Sequence, residues 1–138
     1  MSAVVKLRRL AEHKERLAKL DLANAERERA LQEQVVNAAT TAIEAALCAP
    51  GDEATDHLHR HGYALRMEMA RRGAETRLVE RQRDVGQKRE LVTLAARERG
   101  TLDRLIELAA EVEFAATSRV EQHKLDETGL IGWWRRAS

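Results

Sequence analysis

Proline occurs once in this 138-residue chain, at Pro50, and cysteine once, at Cys48. A single proline leaves long stretches in which nothing forbids a helix, and a single thiol permits no internal disulfide and suits a reducing compartment. Two tryptophans, one tyrosine and one phenylalanine amount to 3% of the residues, so the chain has little bulk with which to fill a thick core. That scarcity excludes an ordinary globule with an enclosed active site. Apolar runs are short, and the opening MSAVVKLRRLAEHKER has none of the length that a signal peptide or a membrane span needs. The expected location is the cytoplasm.

What the chain has is charge, 34% of its residues, with 24 Lys and Arg against 23 Asp and Glu and a formal net charge of +1. The signs are interspersed rather than gathered on one face, which argues against a nucleic-acid partner. Alanine, leucine, glutamate and arginine dominate, the composition of long helices held by a narrow apolar seam.

The strongest punctuation is CAPGDEATD, residues 48–56, where Pro50 and Gly51 form a turn dipeptide and Asp52, Thr55 or Asp56 is placed to cap the next helix. Before it, steps of three and four residues pick out Leu7, Leu10, Leu17, Leu31, Val35, Ala38, Ala42 and Ala45. After it, the same steps pick out Ala64, Met67, Ala74, Leu78, Val85, Val92, Ala95, Leu102, Ile106, Ala109, Ala116 and Val120. The fold class expected is all-α: a long antiparallel two-helix coiled-coil hairpin. Its first helix covers residues 4–48, the turn 49–56, and the second helix 57–128. Folding about the turn sets Leu31 near Ala74 and Leu7 near Glu98, so the second helix outruns the first from about Leu102 onward, leaving an apolar stripe in need of a cover. Gly62, Gly73, Gly86 and Gly100 each cost about 1 kcal/mol in a helix and mark places for a bend.

Motifs of catalysis are absent: there is no Gly-rich phosphate loop, no Cys-x-x-Cys and no His-Glu-x-x-His. In DHLHRHGY, His57 and His61 stand one helical turn apart with Asp56 and His59 beside them, a spacing that could hold a metal. A helix start next to an exposed turn supplies no third fixed ligand, so these are read as polar helix-start residues, with no metal and no cofactor expected. Carboxylates on a solvated helix pair have no cavity to shift their pKa values, and an enzyme is not expected.

The stretches LRRLAEHKERLAKLDLANAERE, ARERGTLDRLIE and RVEQHKLDE, in that order, resemble the pattern of the flagellar FliJ family over nearly the whole chain. The closing motif of that pattern falls on Arg119, Glu121, Gln122, Lys124, Leu125, Asp126 and Glu127. The resemblance implies a small cytoplasmic component of the flagellar type III export apparatus, similar in fold to the stalk of rotary ATPases. It implies as partners the hexameric export ATPase, the membrane export gate and export chaperones, with peripheral association at the inner face of the membrane. The open end of the hairpin, with Leu7, Leu10, Leu102, Ile106 and the closing motif, is the expected ATPase contact. Tyr63 and Met67 near the turn are candidates for the gate-side tip. The alternatives are the equivalent protein of a virulence injectisome, a structural homodimeric coiled coil, and a membrane-surface module.

The last ten residues, GLIGWWRRAS, place Trp133 and Trp134 beside Arg135 and Arg136. With Gly129 and Gly132 as helix breakers, residues 129–138 are expected to form a flexible tail. Its indoles then either fold back over the unpaired stripe or dock on a partner or membrane interface.

Overall fold

The computed structural model describes residues 2–137. Two helices account for nearly all of them: α1, Ala3–Leu47, and α2, Ala54–Ala137, with no strand among the described residues. The chain is an all-α helical hairpin, as its composition and seam spacing lead one to expect. It divides into two compact units, one comprising Lys14–Ala95 with the turn, the other formed by the residues up to His13 together with those from Ala96 onward.

In the turn-bearing unit, α1 stops at Leu47 because Pro50 has no amide proton to continue the ladder, and Gly51 takes a φ of +139°, which side-chain-bearing residues rarely adopt. A Cβ on Gly51 would also lie 2.9 Å from Asp56 Oδ2. Arg60, from the second turn of α2, donates one guanidinium nitrogen to the Ala49 carbonyl and another to the Gly51 carbonyl at 2.5 Å, satisfying acceptors that the turn leaves open. Helix α2 begins at Ala54, three residues ahead of the expected start. Gly51→Ala is expected to lower stability by about 1–3 kcal/mol through strain and the Asp56 clash, read as a fall in the thermal midpoint.

Ala25, Ala74 and Val85 form the buried core of this unit. The α2 side of the seam is the one expected from the sequence, running through Met67, Ala74, Leu78, Val85, Val92 and Ala95. The α1 side is not. The residues turned inward are Ala18, Leu22, Ala25, Arg29, Gln32, Val36, Ala39, Ile43 and Ala46, one position on from the expected stripe, while Leu17, Leu31 and Val35 are exposed. Alanine at the contact lets two helices approach closely, which leucine would prevent. Two polar residues of the seam are well partnered: Gln32 Nε2 donates to the Ala74 carbonyl at 3.0 Å, and buried Glu15 meets Lys19 at 3.1 Å, whereas Arg29 reaches Glu33 at 3.7 Å and leaves its buried Nε without a hydrogen bond. Arg81 bridges to Glu28 at 2.9 Å, tying α2 to α1 at the seam's edge.

Arg71, also on the α2 seam, is held between Glu68 at 2.5 Å and Glu75 at 2.7 Å. The hydrogen bond from Arg71 holds Glu68 below the ordinary carboxylate range, and the same bond raises Arg71. Both stay charged, and Arg71 lies along the apolar seam with its head satisfied.

In the other unit, Ala11 is buried, and Arg8 donates to Asp103 at 2.5 Å, with Arg99 reaching the same carboxylate at 2.8 Å. That hydrogen bond, with the charge of Asp103, holds Arg8 above its ordinary value. The pair also corrects the expected register: the start of α1 lies beside Asp103 and Ile106, not beside Glu98. Helix α2 does not break at Gly100, nor at Gly129 or Gly132, but continues to Ala137. A glycine costs a helix about 1 kcal/mol, which surrounding leucines, alanines and charged helix formers outweigh. The expected flexible tail from residue 129 is thus replaced, over the described residues, by the end of α2.

Candidate functional site

The start of α1 and the middle of α2 make a shallow apolar groove lined by Val4, Val5, Ile106, Ala109, Ala110 and Glu113. Past it, α2 has no α1 opposite. All residues from Glu107 to Ile131 are exposed, including Val112, Phe114, Val120, Leu125 and Leu130, with Phe114 at 75%. The stretch 114–137 would extend roughly 35 Å at 1.5 Å per residue. Most of a helix's stability in a protein comes from packing of its apolar face, and this stretch has none from α1.

The residues of the closing motif all lie on this free stretch. Arg119, Glu121, Lys124, Leu125, Asp126 and Glu127 are exposed, with Gln122 donating to Asp126 at 3.2 Å and His123 paired with Glu127 at 3.2 Å one turn on. These i,i+4 pairs support the helix locally by a few tenths of a kcal/mol and leave the apolar positions between them open. At the far end, Trp133 and Trp134 meet edge to face, centroids 5.8 Å apart, and are 58% and 63% exposed. Fold-back of the indoles over the stripe does not occur, because the continuing helix carries them away from it. Arg135 and Arg136 close the last turn, where cations complement the carbonyl end of the helix dipole.

Other candidates are placed differently. Leu102 and Ile106 are half-buried inside the hairpin, so they hold the two helices together and do not belong to the free stripe. Leu7 and Leu10, assigned to the seam by sequence, are exposed on the outer face of α1. Near the turn, Tyr63 is exposed beside the seam and Met67 is half-buried in it, whereas Leu58, Leu65 and Met69 are exposed on the opposite face of α2. His57 Nδ1 accepts from Arg60 at 3.0 Å, and among the described residues no group of three His, Cys, Asp or Glu is arranged to hold a metal ion. The thiol of Cys48 is exposed. Leu130 and Ile131, expected in the apolar tail cluster with the tryptophans, are exposed on this stretch, and Phe114 is a further exposed member that sequence reasoning did not include, because it lies off the three-and-four spacing that runs from Val120 through His123, Glu127 and Leu130 to Trp134.

A family model described as flagellar FliJ protein matches residues 1–138, the whole chain. The chain belongs to the FliJ family. It is therefore a component of flagellar type III export, in a family whose members are structural and escort components. The flagellar description favours the flagellar reading over the injectisome alternative. No curated protein and no solved structure matches the chain. Among the described residues of this FliJ-family chain, no helix is long and apolar enough to cross a membrane.

Proposed function

We propose that this chain binds the hexameric flagellar export ATPase through the free stretch of α2, residues 114–137, and links it to the membrane export gate while escorting export chaperones. The supporting observation is the exposure of Phe114, Val120, Leu125 and Leu130 on a helix with no α1 beside it, interleaved with the charged closing motif. At roughly 100° per residue Val120 and Leu130 share one face and Phe114 and Leu125 the opposite one, so the stretch offers two apolar strips separated by charged residues, each a surface for a partner helix or groove. Exposed Leu7 and Leu10 add to the contact from α1, and Trp133 and Trp134 supply the large anchors that dominate interface energies. Near the turn, Tyr63 beside the half-buried Met67 is the surface offered to the gate, where the chain associates peripherally with the membrane's inner face.

The deciding experiment replaces Val120 and Leu125 with serine and measures binding to the cognate ATPase alongside the thermal midpoint. Both side chains are exposed and lie beyond α1, so the hairpin should melt unchanged while affinity falls by at least about tenfold. Unchanged affinity would remove the free stretch from the ATPase contact. Leu102→Ser and Ile106→Ser are unsuitable probes, because they loosen the hairpin itself.

A further inference from the structure

The free stretch of α2 has a second property: it is complementary to itself. Its seam positions, continuing the heptad spacing of the hairpin, are Glu113, Ala116, Val120, His123, Glu127, Leu130 and Trp134. We propose that this face pairs with the same face of a second copy, antiparallel, about a twofold axis passing near residue 125. In that register six of these positions pair among themselves, each pair twice by symmetry, and Glu113 falls opposite exposed Ala137 at the helix end. Ala116 lies opposite Trp134, so the smallest side chain accommodates the largest. Val120 lies opposite Leu130, apolar on apolar, and His123 lies opposite Glu127, base against acid. At the flank, Arg119 comes over the Trp133 indole, the geometry of a cation–π contact.

Other arrangements lack this match. Sliding the antiparallel pair by one heptad sets Glu113 against Leu130 and Glu127 against Ala116, taking carboxylates out of water with no partner. A parallel pair sets Trp134 on Trp134, His123 on His123 and Glu127 on Glu127, stacking like charges in the seam. The antiparallel register does place Lys124 near Lys124 and Asp126 near Asp126 on its two flanks, each costing a few tenths of a kcal/mol, and this keeps the dimer weak and reversible. Such a dimer covers the stripe while the chain is free, and any partner using the same face has to displace the second copy. The inference stands independently of the ATPase reading, because it is measured on the isolated chain.

The test is sedimentation velocity over a wide concentration range, with cysteine cross-linking in a Cys48→Ser background. A monomer–dimer equilibrium is expected, weakened at least about tenfold by Val120→Glu, with the thermal midpoint of the hairpin unchanged. Asp126→Cys, which meets its own copy across the axis, should be joined by a short bifunctional thiol reagent, whereas Arg119→Cys, about three turns or roughly 18 Å from its copy, should not. A chain that stays monomeric throughout, a dimer indifferent to Val120→Glu, or cross-linking by Arg119→Cys would each overturn the proposal.

Discussion

Ala25→Asp should cost about 3 kcal/mol or more, whereas Leu31→Asp should cost about 0.5–1 kcal/mol, even though the second change removes far more apolar surface on paper. Ala25 is 4% exposed in the seam, in the same unit as buried Ala74 and Val85; Leu31 is 61% exposed on the outer face of α1. Aspartate is too short to carry its carboxylate from position 25 to water, unlike Glu15, whose longer side chain reaches Lys19 from a buried position. The two substitutions introduce the same residue into the same helix, so helix propensity cancels and the difference reports burial alone. Thermal or urea unfolding of the two variants checks it. A larger loss at position 31 would put the leucine stripe back in the seam.

That contrast also shows where periodicity misleads. Helix α1 carries two stripes offset by one residue. One is leucine-rich and interrupted by Lys14, Asp21, Asn24 and Glu28; the other is alanine-rich and interrupted by Arg8, Glu15, Arg29 and Gln32. Counting apolar residues barely separates them, and side-chain size favours the leucines. Packing decides otherwise, since close approach requires small residues, and polar members of the alanine stripe find partners across the seam, as Arg8 does with Asp103 and Gln32 with the Ala74 carbonyl, Arg29 Nε being the buried exception. On α2 only one stripe is well populated, so its seam was legible throughout. Helix α1 ends at Leu47, just ahead of the Pro50–Gly51 turn that the sequence marks.

The candidate surface was half legible. The closing motif, Arg119 to Glu127, was expected on the free end and is there, but Leu102 and Ile106 were not separable from it by sequence. Where α1 ends along α2 depends on the backbone path of the turn, including the positive φ of Gly51, and hydrophobic spacing carries no information about that path. The aliphatic residues left outside, Leu17, Leu31 and Val35 on α1, follow from the same uncounted choice of register.

Replacing Gly73, Gly86 and Gly100 together with alanine should raise stability by about 1.5–3 kcal/mol, at roughly 0.5–1 kcal/mol per site. All three sit within α2, and a Cβ added at any of them would meet no atom within 4 Å, so the substitutions introduce no clash to set against the gain. The sites are far apart along the helix, so their effects should add. For a domain of this size the increment corresponds to an increase of about 5–10 °C in the thermal midpoint. Scanning calorimetry decides it, and an unchanged midpoint would mean that α2 is not helical through these positions in solution. Gly129→Ala, beyond α1, should leave the main transition alone and raise helicity only. The triple variant further separates two meanings of these glycines in a flagellar export component. If motility and export persist with the midpoint raised, the glycines are stability left unused. If export fails in the stabilised protein while ATPase binding is retained, bending of α2 at these positions is part of how the chain works.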